Sequence, residues 1–152
     1  MRSRRRVQWL RNALPERRSG GGVRTIVRME YLRKIDESAA AAAGADARFS
    51  QWLLDHNSGG QHCSINYIRT PAGGGSPAGM HTHVVDQIFY ILSGTMSLEI
   101  EGTRYEAPPG TLVFFPAGVP HRNWNGGAEP TVHLAFNTPM PDPNVPFATS
   151  VG

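Results

Sequence analysis

The chain has 152 residues, which is enough for one domain with a hydrophobic core and short for two. Its formal net charge is +3, but residues 1–28 contain nine arginines and one acidic residue, Glu16. The remaining residues carry six Lys and Arg against eleven Asp and Glu, a net charge of −5. This excess of acid argues against a nucleic-acid partner, because phosphate binding requires a basic folded surface.

The Arg-rich residues 1–28 contain no uninterrupted apolar run, so they predict neither a secretory signal nor a membrane span. We expect a disordered tail, or residues translated upstream of a true start at Met29. A short basic arm that binds an anionic membrane or serves organelle import is the alternative. Residues 29–46 are predicted to form an N-terminal arm, in which five alanines favour a short helical turn closed by Gly44.

Residues 47–136 have the pattern of β-structure. "ARFSQWLL" and "HCSINYIRT" predict two strands joined by a hairpin connection. Residues 87–92 form a near-continuous apolar run, which predicts a strand buried on both faces. "TMSLEI" alternates apolar and polar residues before a tight turn at Glu101-Gly102. "TLVFFPAG", "HRNWN" and "TVHLAF" add three short strands, so we expect an all-β sandwich or barrel of about eight to ten strands.

The C-terminal residues, the single cysteine and two turn histidines give further expectations. Residues 137–152 contain four prolines and predict an extended C-terminal arm that is not a core element. Cys63 is the single cysteine, so no internal disulfide can form and we expect a reducing, cytoplasmic location. Its apolar surroundings favour a buried small hydrophobe over a nucleophile. His56 and His62 flank a turn and are predicted to be exposed.

Two histidines one residue apart, His81 and His83, have the spacing of metal ligands on a strand. Alternate residues of a strand face the same way, about 6.6 Å apart, so both rings can turn toward one ion. Gln87 has the same parity, but on a straight strand it would lie about 13 Å beyond His83, too far to share that ion. The chain must therefore bend within residues 84–86 if Gln87 is a ligand.

His121 is the next histidine that could complete the site. Pro116, Gly118 and Pro120 restrict the backbone just before it, so its side chain is presented from a rigid corner. Three imidazoles and one amide oxygen would make a four-ligand site for a divalent ion, with room for water or substrate.

Two motifs in this order resemble those of the cupin superfamily. The first motif consists of a glycine, an H-x-H pair, usually a glutamate, and a second glycine. It is matched by Gly75, His81, His83, Gln87 and Gly94. The second motif consists of a glycine, a P-x-G turn, a histidine and an asparagine. It is matched by Gly110, Pro116, Gly118, His121 and Asn125.

The resemblance implies a small jelly-roll barrel, the double-stranded β-helix, over residues 47–136. It also implies one divalent metal ion between the sheets and often a homodimer. Imidazole-rich sites accept several metals, so Fe, Mn, Ni and Zn all remain candidates. A small-molecule substrate is expected as the partner, with neither nucleic acid nor membrane.

Gln87 departs from the usual glutamate. A neutral amide keeps an oxygen ligand but leaves the full charge of the ion, which strengthens it as a Lewis acid. Two alternatives stay open: a site that is empty or partly filled, and a Gln87 that hydrogen-bonds the substrate while the histidines hold the ion. The H-x-H-x-x-x-Q pattern is similar to that of small cupins that linearise unsaturated uronates and of cupin-type polyketide cyclases.

The sequence therefore predicts a metal-dependent enzyme that polarises a carbonyl or enol oxygen of a small molecule, sugar-acid or polyketide-like in type. An iron-dependent dioxygenase with the same ligands and a non-catalytic binding module for sugars or small molecules are the alternatives. Gln87 cannot transfer protons, so His133 in "TVHLAF" is the catalytic candidate for that role. Phe89 and Asn123 are predicted by strand parity to line the cavity and contact the substrate.

Overall fold

The computed structural model describes residues 31–76 and 79–151, so the predictions for residues 1–28 lie outside the described residues. One short helix, α1 (Glu37–Ala42), begins after Asp36, whose side chain accepts a hydrogen bond from the backbone N–H of Ala39 at 2.9 Å. It ends before Gly44, whose φ is +82°, so the predicted helical turn is confirmed. None of the helices in the described part is both long and apolar enough to cross a membrane.

The rest of the described chain is mainly β-structure. A 3₁₀ turn (His56–Ser58) separates the first two strands. The ten strands are β1 (Phe49–Leu54), β2 (Ser64–Thr70), β3 (His81–His83), β4 (Asp86–Ser93), β5 (Met96–Ile100), β6 (Thr103–Ala107), β7 (Leu112–Phe115), β8 (His121–Trp124), β9 (Thr131–Thr138) and β10 (Ala148–Ser150).

These strands form two five-stranded antiparallel sheets. The first has the order β1-β2-β9-β4-β7 and the second has the order β10-β3-β8-β5-β6. Their inner faces share one hydrophobic core, to which Phe89 and Ile91 contribute from the first sheet and Met96 and Leu98 from the second. The predicted all-β jelly roll, a double-stranded β-helix, is confirmed, as two facing sheets and not one continuous closed barrel.

One expectation about β4 is wrong. The apolar run at residues 87–92 predicts burial on both faces, but burial alternates along β4, and Tyr90 and Leu92 are 41% and 43% exposed. The reason is that only one face of the first sheet is covered by the second sheet.

The hairpin between β5 and β6 agrees with prediction. Glu101 and Gly102 have φ of +49° and +80°, as a two-residue type I′ turn requires.

The C-terminal arm is the second correction. Strand β9 continues past residue 136 to Thr138, and β10 pairs with β3, with Ala148 opposite His83. Residues 137–138 therefore belong to the first sheet and residues 148–150 to the second, so this segment is not an arm outside the sheets. The prolines at 139–146 fall in the connection, and Thr149 is the one β-branched residue of β10, so the sequence gives only a weak signal for this strand.

Candidate metal centre

The bend after His83 places Gln87 opposite the two histidines. Strand β3 ends at His83 and β4 begins at Asp86, so the chain crosses from the second sheet to the first within two valines. Val84 is 64% exposed, whereas Val85 is 5% exposed and belongs to the core. The predicted bend is confirmed, and it places Gln87 on the facing sheet.

Two hydrogen bonds to the loop before β8 fix this crossing. The carboxylate of Asp86 accepts a hydrogen bond from the backbone N–H of Ala117 at 2.9 Å. The backbone carbonyl of His83 accepts one from the N–H of Gly118 at 2.8 Å. Gly118 has a φ of +79°, which glycine adopts without strain. The rigid corner that precedes His121 is therefore also the support of the bend before Gln87.

The three predicted histidines come together between the sheets. His81 and His121 are opposite each other on paired strands, and His83 lies two residues along from His81. All three side chains are buried, and their ligand nitrogens lie within 4.8 Å of one another. The Nε2 atoms of His81 and His83 are 3.1 Å apart. We call His81, His83 and His121 the histidine trio.

The Nδ1 atom of each ring in the trio is hydrogen-bonded to a backbone carbonyl. A carbonyl only accepts, so each Nδ1 carries the proton and each Nε2 presents a lone pair toward the other rings. For His81, His83 and His121 the carbonyls belong to Gly79, Phe147 and Val119, at 2.7, 2.7 and 2.8 Å. The ring of Phe147 also stacks on that of His83, with centroids 4.2 Å apart.

These residues fit a divalent metal ion. Two Nε2 lone pairs at 3.1 Å repel each other unless a cation lies against both. The Nε2 of His121 is buried and has no hydrogen-bond partner among the described residues. Burial lowers the pKa of His121 to about 4, and it also lowers the pKa of His83. Both rings are therefore neutral near pH 7, as metal ligation requires.

A buried polar chain orients Gln87. Its Nε2 donates to Oδ1 of Asn137 at 3.0 Å, and Nδ2 of Asn137 donates to Oγ of Ser64 at 3.0 Å. The amide nitrogen of Gln87 is thus held on the first sheet. The remaining polar atom, Oε1, is the one a metal would use. Sequence reasoning missed Asn137 and Ser64.

A cavity of about 380 Å³ opens beside the trio. The predicted residues Gln87, Phe89, Asn123 and His133 all line it, together with His81 and His83. His121 is not part of the lining. Its ring instead stacks on Phe115 at the back of the site, with centroids 4.1 Å apart.

His133 lies at the other end of this cavity. In the register of the first sheet Asn137 pairs with Gln87, and His133 pairs with Ile91. Four residues of strand therefore separate His133 from Gln87, about 13 Å. The ring of Phe89 lies between, 4.4 Å from the ring of His133. Burial, followed by the charge of Arg48, lowers the pKa of His133 to about 3.

Comparison with known proteins agrees with this architecture. The sequence model of the cupin domain matches residues 66–137, which include every residue of the trio and Gln87. These residues form a cupin domain. Beyond this match, the chain is similar to an uncharacterized protein of Streptomyces coelicolor, SCO3923, with 24% identity over 106 residues, which cover 70% of this chain and 94% of that protein.

Two solved structures share the fold of this chain. An rmlC-like cupin of Methanocaldococcus jannaschii superposes with a TM-score of 0.60 at 19% identity, over 74% of this chain and 94% of that one. The polyketide cyclase RemF of Streptomyces resistomycificus superposes with a TM-score of 0.59 at 24% identity, over 69% and 71% of the two chains. At these identities the likeness establishes the fold alone.

Proposed function

We propose that this cupin is a metal-dependent enzyme acting on a small oxygenated molecule, of the carbonyl, enol, sugar-acid or polyketide-like type. The histidine trio would hold the ion, with Gln87 as the fourth ligand. A divalent ion bound there would supply Lewis acidity toward a carbonyl or enediol oxygen. The reaction would be of the isomerase, cyclase or lyase type, in which electron withdrawal from such an oxygen lowers the barrier.

One observation carries this proposal. Three buried imidazoles have their Nδ1 atoms fixed by carbonyls and turn their Nε2 atoms toward one another. A merely structural cluster would leave three lone pairs facing each other in the interior, which is costly. A cation removes that cost, and four neutral ligands would leave its charge undiminished.

The residues around the trio would position the ligands and exclude water. Asn137 holds the amide of Gln87 so that its oxygen is available. Phe147 fixes His83 by a backbone hydrogen bond and by stacking. Phe89 forms an apolar wall of the cavity between the trio and His133. Such a dry, rigid setting strengthens electrostatic interactions with a bound oxygen.

Proton transfer constrains the reaction further. None of the described residues that line the cavity is a carboxylate. With a pKa of about 3, His133 stays neutral and weakly basic near pH 7. A ring this weakly basic does not suit the proton-transfer role predicted for His133, so we propose that His133 contacts the substrate instead, and reactions needing a strong protein base beside the trio are disfavoured.

Two other functions use the same fold. An iron-dependent dioxygenase would use the same ligands, and a binding module for sugars or small molecules would need no reaction at all. RemF is a polyketide cyclase by name, which agrees with carbonyl or enol chemistry as the first choice. Oxygen uptake with diketone or catechol-like compounds would favour the dioxygenase instead.

Metal content tests the proposal directly. Elemental analysis of the purified protein should find about one equivalent of a divalent metal, and the His81→Ala variant should retain almost none. The matched control is His62→Ala, which removes an exposed histidine and should leave the metal content unchanged. Equal metal in the wild type and His81→Ala would contradict the site, and a well-folded wild type without metal would favour the binding module.

The homodimer implied by cupin relatives stays a prediction. Sedimentation velocity of the purified protein tests it: a single species at about twice the mass of the chain is expected, and a monomer at micromolar concentration would contradict it.

A further inference from the structure

An arginine faces the cavity from the edge of the first sheet. Arg48 directly precedes β1 and lines the cavity together with Ser50 and Trp52, which share its parity on the strand. Among the described residues the side chain of Arg48 forms neither a hydrogen bond nor an ion pair. The residue as a whole is exposed, although partial burial of the guanidinium lowers the pKa of Arg48. A cation that lines a cavity without a counterion favours an anion from outside the protein.

The charge of the cavity is opposite to that of its surroundings. Residues 29–152 carry a net charge of −5, yet no described Asp or Glu lines the cavity. The titratable groups that do line it are Arg48, His81, His83 and His133. An anion that enters therefore meets the fixed positive charge of Arg48, in addition to that of a metal ion held by the trio, and no carboxylate to repel it.

His133 supplies the second, independent observation. Its side chain is 1% exposed, and neither Nδ1 nor Nε2 has a hydrogen-bond partner among the described residues. Buried polar atoms are bonded in the large majority of cases, and a neutral imidazole has one N–H to donate. In the register of the first sheet Ser50 pairs with Ile68 and Ile68 pairs with His133, so Arg48, two residues before Ser50, lies toward the same end of the cavity as His133.

We propose that Arg48 and His133 form a carboxylate-binding subsite at the end of the cavity remote from the histidine trio. The guanidinium would bind the carboxylate through paired N–H donors, and the imidazole N–H would donate to one of its oxygens. The single charge of Arg48 matches a monoanion, and Phe89 and Ala135, which pair with each other between the levels of Gln87 and His133, form apolar walls between the two ends. Resting on the proposed function, this makes the substrate a carboxylic acid whose other end, about 13 Å along the strand, carries the reacting oxygen.

Benzoate and benzamide are a matched pair of probes, equal in shape but different in charge. Calorimetric titration of the full chain with its metal should show that benzoate binds more tightly than benzamide. Arg48→Gln should weaken benzoate binding about ten-fold or more and change benzamide binding less than two-fold. Arg48→Lys keeps the charge without the planar donors, so its affinity for benzoate should lie between those of the wild type and Arg48→Gln. His133→Phe should weaken benzoate several-fold.

The control is Arg104→Gln, which removes the same charge from a side chain that is 74% exposed and outside the cavity. It should leave both affinities unchanged. Unchanged benzoate binding in Arg48→Gln would overturn the subsite, as would a wild type that binds neither probe or does not discriminate between them.

A chelator separates this subsite from the metal site. If benzoate bound the metal ion instead, chelation would abolish its binding while Arg48→Gln would not, and the subsite would be overturned. If the protein held no metal but Arg48→Gln still weakened benzoate binding, the proposed function would be contradicted and the subsite would be supported.

Discussion

The two ends of the cavity contain buried histidines in opposite states of hydrogen bonding. In the histidine trio each Nδ1 is tied to a backbone carbonyl, so only Nε2 remains available and its direction is fixed. His133 is equally buried, but both of its ring nitrogens lack a partner in the described part of the chain.

This difference separates two kinds of buried histidine. A ring oriented by the backbone is prepared for a metal ion, because second bonds of this kind fix the tautomer of ligating histidines. A ring with two unpartnered nitrogens costs stability until a ligand arrives. The trio end would thus be completed by a metal and the His133 end by a substrate.

Metal removal should produce the largest change in stability, and that change should depend on the histidine trio alone. With free metal at about a thousand times its dissociation constant, the metal contributes about 4 kcal/mol to the free energy of unfolding, and a chelator removes it. Chemical denaturation with and without chelator measures the difference. His121→Ala should not respond to metal or chelator. A wild type equally stable in both conditions would contradict the ion-binding role of the trio.

Breaking the support of Gln87 should weaken the trio end next. Asn137→Leu removes the acceptor for Gln87 Nε2 and should lower metal affinity about ten- to hundred-fold. Asn137→Asp keeps an acceptor for Gln87 and adds negative charge, so it should bind metal at least as tightly as the wild type. Competition with a fluorescent chelator gives both values. Equal loss in the two variants would mean that Asn137 does not act through Gln87.

Two members of the trio were predictable from sequence because their geometry is local, whereas His121, forty residues after His81, reaches them only through the pairing of β3 with β8. His81 and His83 share a strand, so their spacing alone places both rings on one face. The distance to Gln87 required a bend, and the structure has it. His121 follows a restricted corner whose Pro and Gly residues are visible in the sequence. The two motifs encode the same local geometry, so the cupin jelly roll could be predicted with them.

The other cavity residues depend on strand order, which one sequence does not reveal. Asn137 reaches Gln87 only because β9 lies between β2 and β4. Arg48 faces the cavity only because β1 extends the same sheet. Phe147 was missed because the prolines before it concealed a short strand that pairs over a long sequence distance with β3. Nothing in their local sequence distinguishes these three from surface residues.

Acid should expose the cost of the unpartnered ring at the other end. The folded-state pKa of His133 is about 3, below an unfolded value of about 6.5. The unfolded chain therefore binds the proton first, so stability falls as the pH drops below about 6.5.

His133→Phe removes this proton-binding difference and also the unsatisfied nitrogens. Its stability advantage over the wild type should grow by about 2 kcal/mol between pH 8 and pH 5. Urea denaturation of metal-free protein at the two pH values measures it, with His56→Phe, an exposed site, as the control. A difference in the free energy of unfolding between His133→Phe and the wild type that does not change with pH would contradict the burial of a neutral His133.

The smallest effect is expected where the backbone, and not the side chain, acts on the trio. Phe147→Ala removes the ring that stacks on His83 but keeps the carbonyl that accepts from its Nδ1. Metal affinity should therefore fall only a few-fold, whereas deletion of residues 147–152 removes the carbonyl and should cost about ten-fold or more. The same chelator competition compares the two. If Phe147→Ala lost as much metal as the deletion, stacking would orient His83, and the role assigned here to the backbone hydrogen bond would be wrong.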